Sequence, residues 1–209
     1  GEVVALNAGA NSSAASSFFL PLDRIERALK EIQAGSPVTR GTLQTTFQSK
    51  AYDELRRLGL TEESERIARS SFPGQTGMLV VDQVIPGSAA ADVLAPGDIL
   101  LRIDGELVSE FVPLAAILDG KVGEEIDIEL ERGGRRIVSQ VRVDDLHTIT
   151  PDEYLEFGDA IVNRLSYQQA RHYNRAAEGI YVANPGYLLS KSAIPRGAVI
   201  VEMDGEPVR

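Results

Sequence analysis

Leu79, Val80, Val81 and Val84 form an apolar run between Gly77 and the breaker pair Pro86-Gly87, the signature of a strand. Ser88 follows as an N-cap residue and predicts a short helix over residues 89–94, closed by Pro96-Gly97. Ile99, Leu101 and Ile103 alternate with their neighbours, as in a half-buried strand, and Asp104-Gly105 supplies the pair a two-residue hairpin needs. Phe111, Leu114, Ala115 and Leu118 recur at helical spacing and predict an amphipathic helix over residues 109–118. Ile126, Ile128 and Leu130 alternate again, Gly133-Gly134 turns the chain, and Ile137, Val141 and Val143 form the return strand. At the start, residues 1–9 read as a strand. Phe18-Phe-Leu-Pro-Leu then leads into a helix with Ile25, Leu29 and Ile32 on one stripe and Gly35 as its stop.

The central pattern occurs twice. Gly97 matches Gly197, Asp104 matches Asp204, Gly105 matches Gly205 and Val108 matches Val208 at a constant offset, so a whole domain is repeated. In the second copy Tyr187 to Ile194 fills the space of the short helix, with no recognisable Ser-Ala-Ala signal. The second copy reaches Val208 and carries no counterpart of the residue 109–118 helix or of the final hairpin. We expect it to be an incomplete domain in an excised fragment.

The order strand, Pro-Gly-Ser-Ala-Ala, Gly-Asp, apolar run, Asp-Gly resembles the middle of a PDZ domain of the kind carried by HtrA/DegP-type serine proteases. Gly1-Glu-Val-Val-Ala-Leu-Asn7 and Phe18-Phe-Leu-Pro21 are similar to the strand after the nucleophile segment and to the lead into the first PDZ domain of that family. Residues 40–47, 51–61, 145–151 and 165–171 resemble its nuclear, apoptosis-linked fungal branch; bacterial proteins of the same architecture fit as well. The implied fold class is mixed α/β and β-rich. Tandem PDZ-like domains, each a partly open β-barrel or sandwich with two helices, follow the last strand and helix of a trypsin-like β-barrel. The implied boundaries are 1–35 for the protease remnant and linker helix, 36–147 for the first PDZ domain, and 148–209 for an incomplete second one.

Composition narrows the chemistry. With 209 residues, 43% apolar and 25% charged, the chain supports one to two domains. Its formal charge of −10 argues against a nucleic-acid partner, and the local basic group Arg56, Arg57, Arg66 and Arg69 reads as a solvated face. Glu124, Glu125, Asp127, Glu129 and Glu131 read as the outward side of a strand and its turn. No apolar run approaches the roughly 20 residues that span a bilayer. The absence of cysteine excludes thiolate metal ligation and disulfides. His147 and His172, far apart in the chain, make no metal site, and no cofactor is expected. A serine triad needs a histidine beside an activated serine. Ser12, Ser13, Ser16 and Ser17 sit in no nucleophile motif and read as a polar loop, so the triad is expected to be absent and the chain itself inactive.

What remains is a peptide groove. PDZ domains add a ligand strand to an exposed sheet edge beside a helix, and successive backbone N–H groups receive the terminal carboxylate. The resemblance places that loop at Arg40 to Thr45, making Gly41, Thr42, Leu43, Gln44 and Thr45 peptide-binding candidates. Thr45 and Phe47 would lie on the augmenting strand, and Leu114, Ala115 and Leu118 on the helix side; those apolar positions fit a core role too. The family carries Gly where Gln44 stands, and a Cβ there disfavours a positive φ. This counts against capture of a free carboxyl terminus and leaves internal segments, or a segment of the protein itself, as ligands. Gly158 to Val162 is the equivalent loop of the second copy. The implied function is a peptide-binding regulatory region of a serine endopeptidase, with peptides or unfolded segments as partners and homo-oligomers left open. The alternative is a non-enzymatic PDZ scaffold. The compartment is the cell envelope if bacterial and the nucleus if fungal.

Overall fold

The computed structural model describes residues 3–11, 13 and 16–208, and only the backbone of Phe18 and Pro21. The expectations placed on Gly1, Glu2 and Ser12 lie outside the described residues. Backbone contacts divide the chain into Gly1–Thr39 and Arg40–Arg209.

In the first unit β1 (Ala5–Asn11) pairs antiparallel with β2 (Ser16–Pro21), with an irregularity between Asn7 and Gly9. The chain then enters α1 (Asp23–Ala34). Gly35 ends α1 in the left-handed region at φ 72°, its N–H donating to the Ile32 carbonyl while Ser36 N–H reaches Glu31. The expected stripe forms, but Leu29 and Ile32 remain 52% and 64% exposed. Arg27 ties the unit together by donating to the carbonyl and hydroxyl of Thr39 at 3.1 and 2.8 Å.

The first repeat runs β3 (Gly41–Thr42), β4 (Thr45–Ala51), α2 (Tyr52–Leu58), α3 (Glu62–Ser71), β5 (Gly77–Val84), β6 (Ile99–Ile103), β7 (Glu106–Leu107), α4 (Phe111–Gly120), β8 (Glu125–Arg132), β9 (Arg135–Arg142) and β10 (Asp144–Asp145). Its main sheet has the order β4-β5-β6-β8-β9, all antiparallel, with β7 paired to β6 and β3 paired separately to β10. At β5 and β6 the sheet is buried on both faces. Leu79, Val81, Leu100 and Ile103 join Leu114, Leu118, Ile126, Ile128 and Leu130 in one core, while Met78, Val80, Ile99 and Leu101 join Tyr52, Leu55 and Ala68 in the other. Ile103 therefore faces away from Ile99 and Leu101. The register shift between Leu100 and Arg102 flips the strand, which the simple alternation did not anticipate.

Three further expectations change. Residues 89–94 form successive turns instead of a helix, with Leu94 N–H bonded to the Ala90 carbonyl and Ala91 N–H to Ser88. Glu131 is buried, not outward. It accepts from the N–H and hydroxyl of Thr61 at 2.9 and 2.8 Å and from the Ser64 hydroxyl at 2.6 Å, so the N-terminus of α3 covers it. The first repeat also has three helices where two were implied, because residues 52–71 form the pair α2–α3.

The arginine group lies on that pair. Arg56 and Arg69 both donate to Glu65, at 2.6 and 2.7 Å, and Arg69 stacks 3.9 Å above the Tyr52 ring. The Arg56 hydrogen bond holds the Glu65 carboxyl below its usual range against the opposing effect of burial.

The second repeat runs β11 (Leu155–Phe157), β12 (Ala160–Arg164), α5 (Tyr167–Tyr173), β13 (Ile180–Asn184), α6 (Gly186–Lys191), β14 (Val199–Ile200), β15 (Glu202–Met203) and β16 (Glu206–Pro207). Its sheet order is β11-β12-β13-β14, and β15 and β16 form a hairpin. The duplication is visible in the backbone. Asp104-Gly105 turns at φ 47° and 81°, and Asp204-Gly205 at φ 53° and 78°. A helix fills the space between β13 and β14, so it is the second copy, not the first, that has one there. The repeats touch where Gln83 donates to the Arg171 carbonyl and the Asn174 side chain, each at 3.0 Å.

Candidate peptide groove

The expected loop forms the turn between β3 and β4. Gly41 and Thr42 leave the main sheet to pair with Asp145 and Asp144, and the chain returns at Thr45 as the edge strand of the main sheet. Only glycine fits at position 41: a Cβ there would lie 1.9 Å from the Leu118 carbonyl oxygen. This brings the loop against the C-terminal end of α4. The Gly41 N–H donates to Asp119 Oδ1 at 2.9 Å and Arg40 to Asp119 Oδ2 at 3.0 Å, and the Asp119 side chain is fully buried.

Gln44 adopts φ 50° despite its Cβ. Local bonds hold it there. Its N–H donates to Thr42 Oγ1 at 2.9 Å, its carbonyl accepts from Ile85 N–H at 3.0 Å, and its amide donates to Asp144 Oδ2 at 2.9 Å. The Thr45 hydroxyl donates to the Leu43 carbonyl at 3.1 Å. Gly41, Thr42, Leu43, Gln44 and Thr45 are thus brought together, with Leu43 buried beneath the loop in the first core.

The helix side is more deeply seated than a lining alone would be. Leu114 and Leu118 belong to the core, Ala115 is half-buried between them, and Phe47 packs against the same core from β4. Phe111, expected on that face, is 51% exposed at the first turn of α4. Sequence reasoning passed over Asp119 and Asp144 as site residues. Each meets its loop partner across 78 to 100 positions of chain, and no local pattern marks such a pair.

The second repeat differs at the equivalent place. Gly158 and Asp159, at φ 51° and 60°, make a tight hairpin that folds β11 onto the edge of β12, pairing Phe157 with Ala160 and Leu155 with Val162. A cavity of about 790 Å³ opens in this repeat beside residues that include Tyr154, Phe157, Val162, Leu165 and Met203. His147 is exposed, with Nδ1 3.6 Å from Asp145 Oδ1, and His172 lies on the exposed side of α5. Among the described residues no cluster of three or more His, Asp or Glu is placed to hold a metal ion, and no helix is long and apolar enough to cross a membrane.

Two family models agree with this architecture. A PDZ domain family matches residues 80–132 and a PDZ-like domain family matches residues 148–209. Protease Do-like 7 of Arabidopsis thaliana is 46% identical over 100% of this chain and 20% of its own length. The pro-apoptotic serine protease nma111 of Aspergillus fumigatus is 42% identical over 100% of this chain and 20% of its own. A solved structure described as "HtrA-type protease AlgW with decapeptide" superposes on 68% of this chain and 42% of its own, at 23% identity and a TM-score of 0.44. The chain carries two PDZ domains. Over its whole length it is similar to a segment of HtrA-type serine proteases, and it spans about a fifth of the length of the curated relatives it matches.

Proposed function

We propose that the first repeat is a peptide-binding groove that recruits extended protein segments to a serine endopeptidase of the HtrA type, or couples their binding to its proteolysis. The observation that carries this reading is the position of β4. It is the edge strand of the main sheet, seven residues long, and its loop abuts α4 through the Gly41–Leu118 approach. An edge strand offers unpaired main-chain donors and acceptors, and a ligand strand can add to it. Phe47 and Ala115 then supply apolar contacts beside the new strand. In this reading residues 1–35 belong to the preceding protease domain and the PDZ domains span residues 36–147 and 148–209. The second repeat offers no equivalent edge, since β11 occupies it.

Ala115→Arg tests the groove. The position is half-buried, so the arginine head can reach water while its stem crosses the groove. Binding of an unfolded polypeptide such as reduced, alkylated casein should weaken about tenfold or more, equivalent to about 1.4 kcal/mol, with the unfolding midpoint unchanged. Unaltered binding by a folded variant would remove the groove assignment.

A further inference from the structure

We infer that the groove of the first repeat selects internal extended segments over free carboxyl termini, because Asp119 and Thr42 already take up two of the loop's main-chain N–H donors and Asp119 and Asp144 set carboxylates beside it. The inference rests on the groove reading above and specifies its ligand.

Capture of a terminal carboxylate needs convergent N–H donors and a positive local potential. In this loop the Arg40 guanidinium and the Gly41 and Gln44 N–H groups are engaged from within. The Gly41 N–H and the Arg40 guanidinium both serve Asp119, whose side chain is fully buried, so the positive charge at the head of the loop is neutralised by the protein's own carboxylate. The Gln44 N–H is turned onto Thr42 Oγ1. The Gln44 amide draws in Asp144, setting a second carboxylate beside the loop opposite Thr42 on β10. A ligand carboxylate would meet like charge there and would have to displace formed hydrogen bonds. Burying a charge without such donors is costly.

The edge of β4 carries no such obstruction. Main-chain pairing along Thr45–Ala51 needs neither a chain end nor a charge, so an internal segment can satisfy it fully. The positive φ of Gln44 does not itself exclude a terminus, since the residue adopts that conformation. Occupied donors and the adjacent carboxylates set the preference.

The test uses the full chain and two fluorescein-labelled pools of randomised, apolar-rich decapeptides, one with a free α-carboxylate and one amidated, titrated by fluorescence anisotropy. The two pools should bind within about twofold of each other. In the Thr42→Val/Asp144→Asn variant the Gln44 N–H is released and one charge removed, and the free-acid pool should gain about tenfold over the amidated pool, the scale of one charge-assisted hydrogen bond. Thermal unfolding of the variant verifies that it is folded. A tenfold free-acid preference in the unaltered chain would overturn the inference while leaving the groove in place. Equal binding of both pools by both proteins would overturn the roles given to Thr42 and Asp144. Failure of both pools to bind the unaltered chain would overturn the groove reading itself, and the inference with it.

Discussion

Leu118→Arg should destabilise the first repeat by about 3–5 kcal/mol, the cost of leaving an uncompensated charge in an apolar interior. Leu118 is 6% exposed and sits in the core with Leu43, Leu114, Ile126 and Ile128. Its carbonyl is also the atom that Gly41 approaches, so any shift of α4 to accommodate the larger side chain is resisted by β3. Urea unfolding followed by far-UV circular dichroism measures the loss. A change below about 1 kcal/mol would mean that the side chain reaches water through the groove, making Leu118 lining and not core. Leu118→Arg is therefore a probe of stability, and Ala115→Arg, one turn earlier on the same face, is the probe of binding.

Asp98→Ala should cost about 3 kcal/mol, at the lower end for breaking a buried ion pair because Arg132 keeps access to water. Asp98 is fully buried at the turn before β6. It accepts from Ala95 N–H at 2.8 Å and from Arg132 through two bonds of 2.6 and 2.7 Å, while Arg132 also donates to the Val93 carbonyl. One carboxylate thus fastens the turns of residues 88–98 to β8. The second repeat shows what the carboxylate is not needed for. Ala198 stands in its place, yet Gly197 N–H still reaches Val182 and Ala198 N–H reaches Pro195, as Gly97 reaches Val81 and Asp98 reaches Ala95. Asp98→Asn should lose less than Asp98→Ala, because it retains an acceptor for Ala95 N–H. Equal losses in urea unfolding would show that the turn bond contributes nothing, and a loss under about 0.5 kcal/mol for Asp98→Ala would contradict the fastening role.

The repeat was legible because its markers are local. Asp-Gly at both hairpins requires left-handed backbone, and both pairs adopt it. An apolar run between breakers located β5, and alternation located β6 and β8, where one face of the strand turns apolar residues inward. It failed where geometry is set at a distance. Ser88 heads turns instead of a helix. Its hydroxyl is buried and meets no partner among the described residues, so it does not act as a cap. Glu131 looks like every other acidic residue of its strand, and only the fold brings Thr61 and Ser64 to it. Arg40 with Asp119 and Gln44 with Asp144 follow the same rule. The loop was identifiable by resemblance, whereas the carboxylates that occupy it belong to α4 and β10, distant in the chain.

The most direct measurement is residue-resolved amide hydrogen exchange on the full chain, with and without the amidated decapeptide pool at saturation. New protection is expected along Thr45–Ala51, where a ligand strand would take up the free edge, and none along Ala160–Arg164, where β11 already lies. Protection confined to the second repeat, or saturable binding that leaves β4 exchanging as before, would contradict a groove at β4.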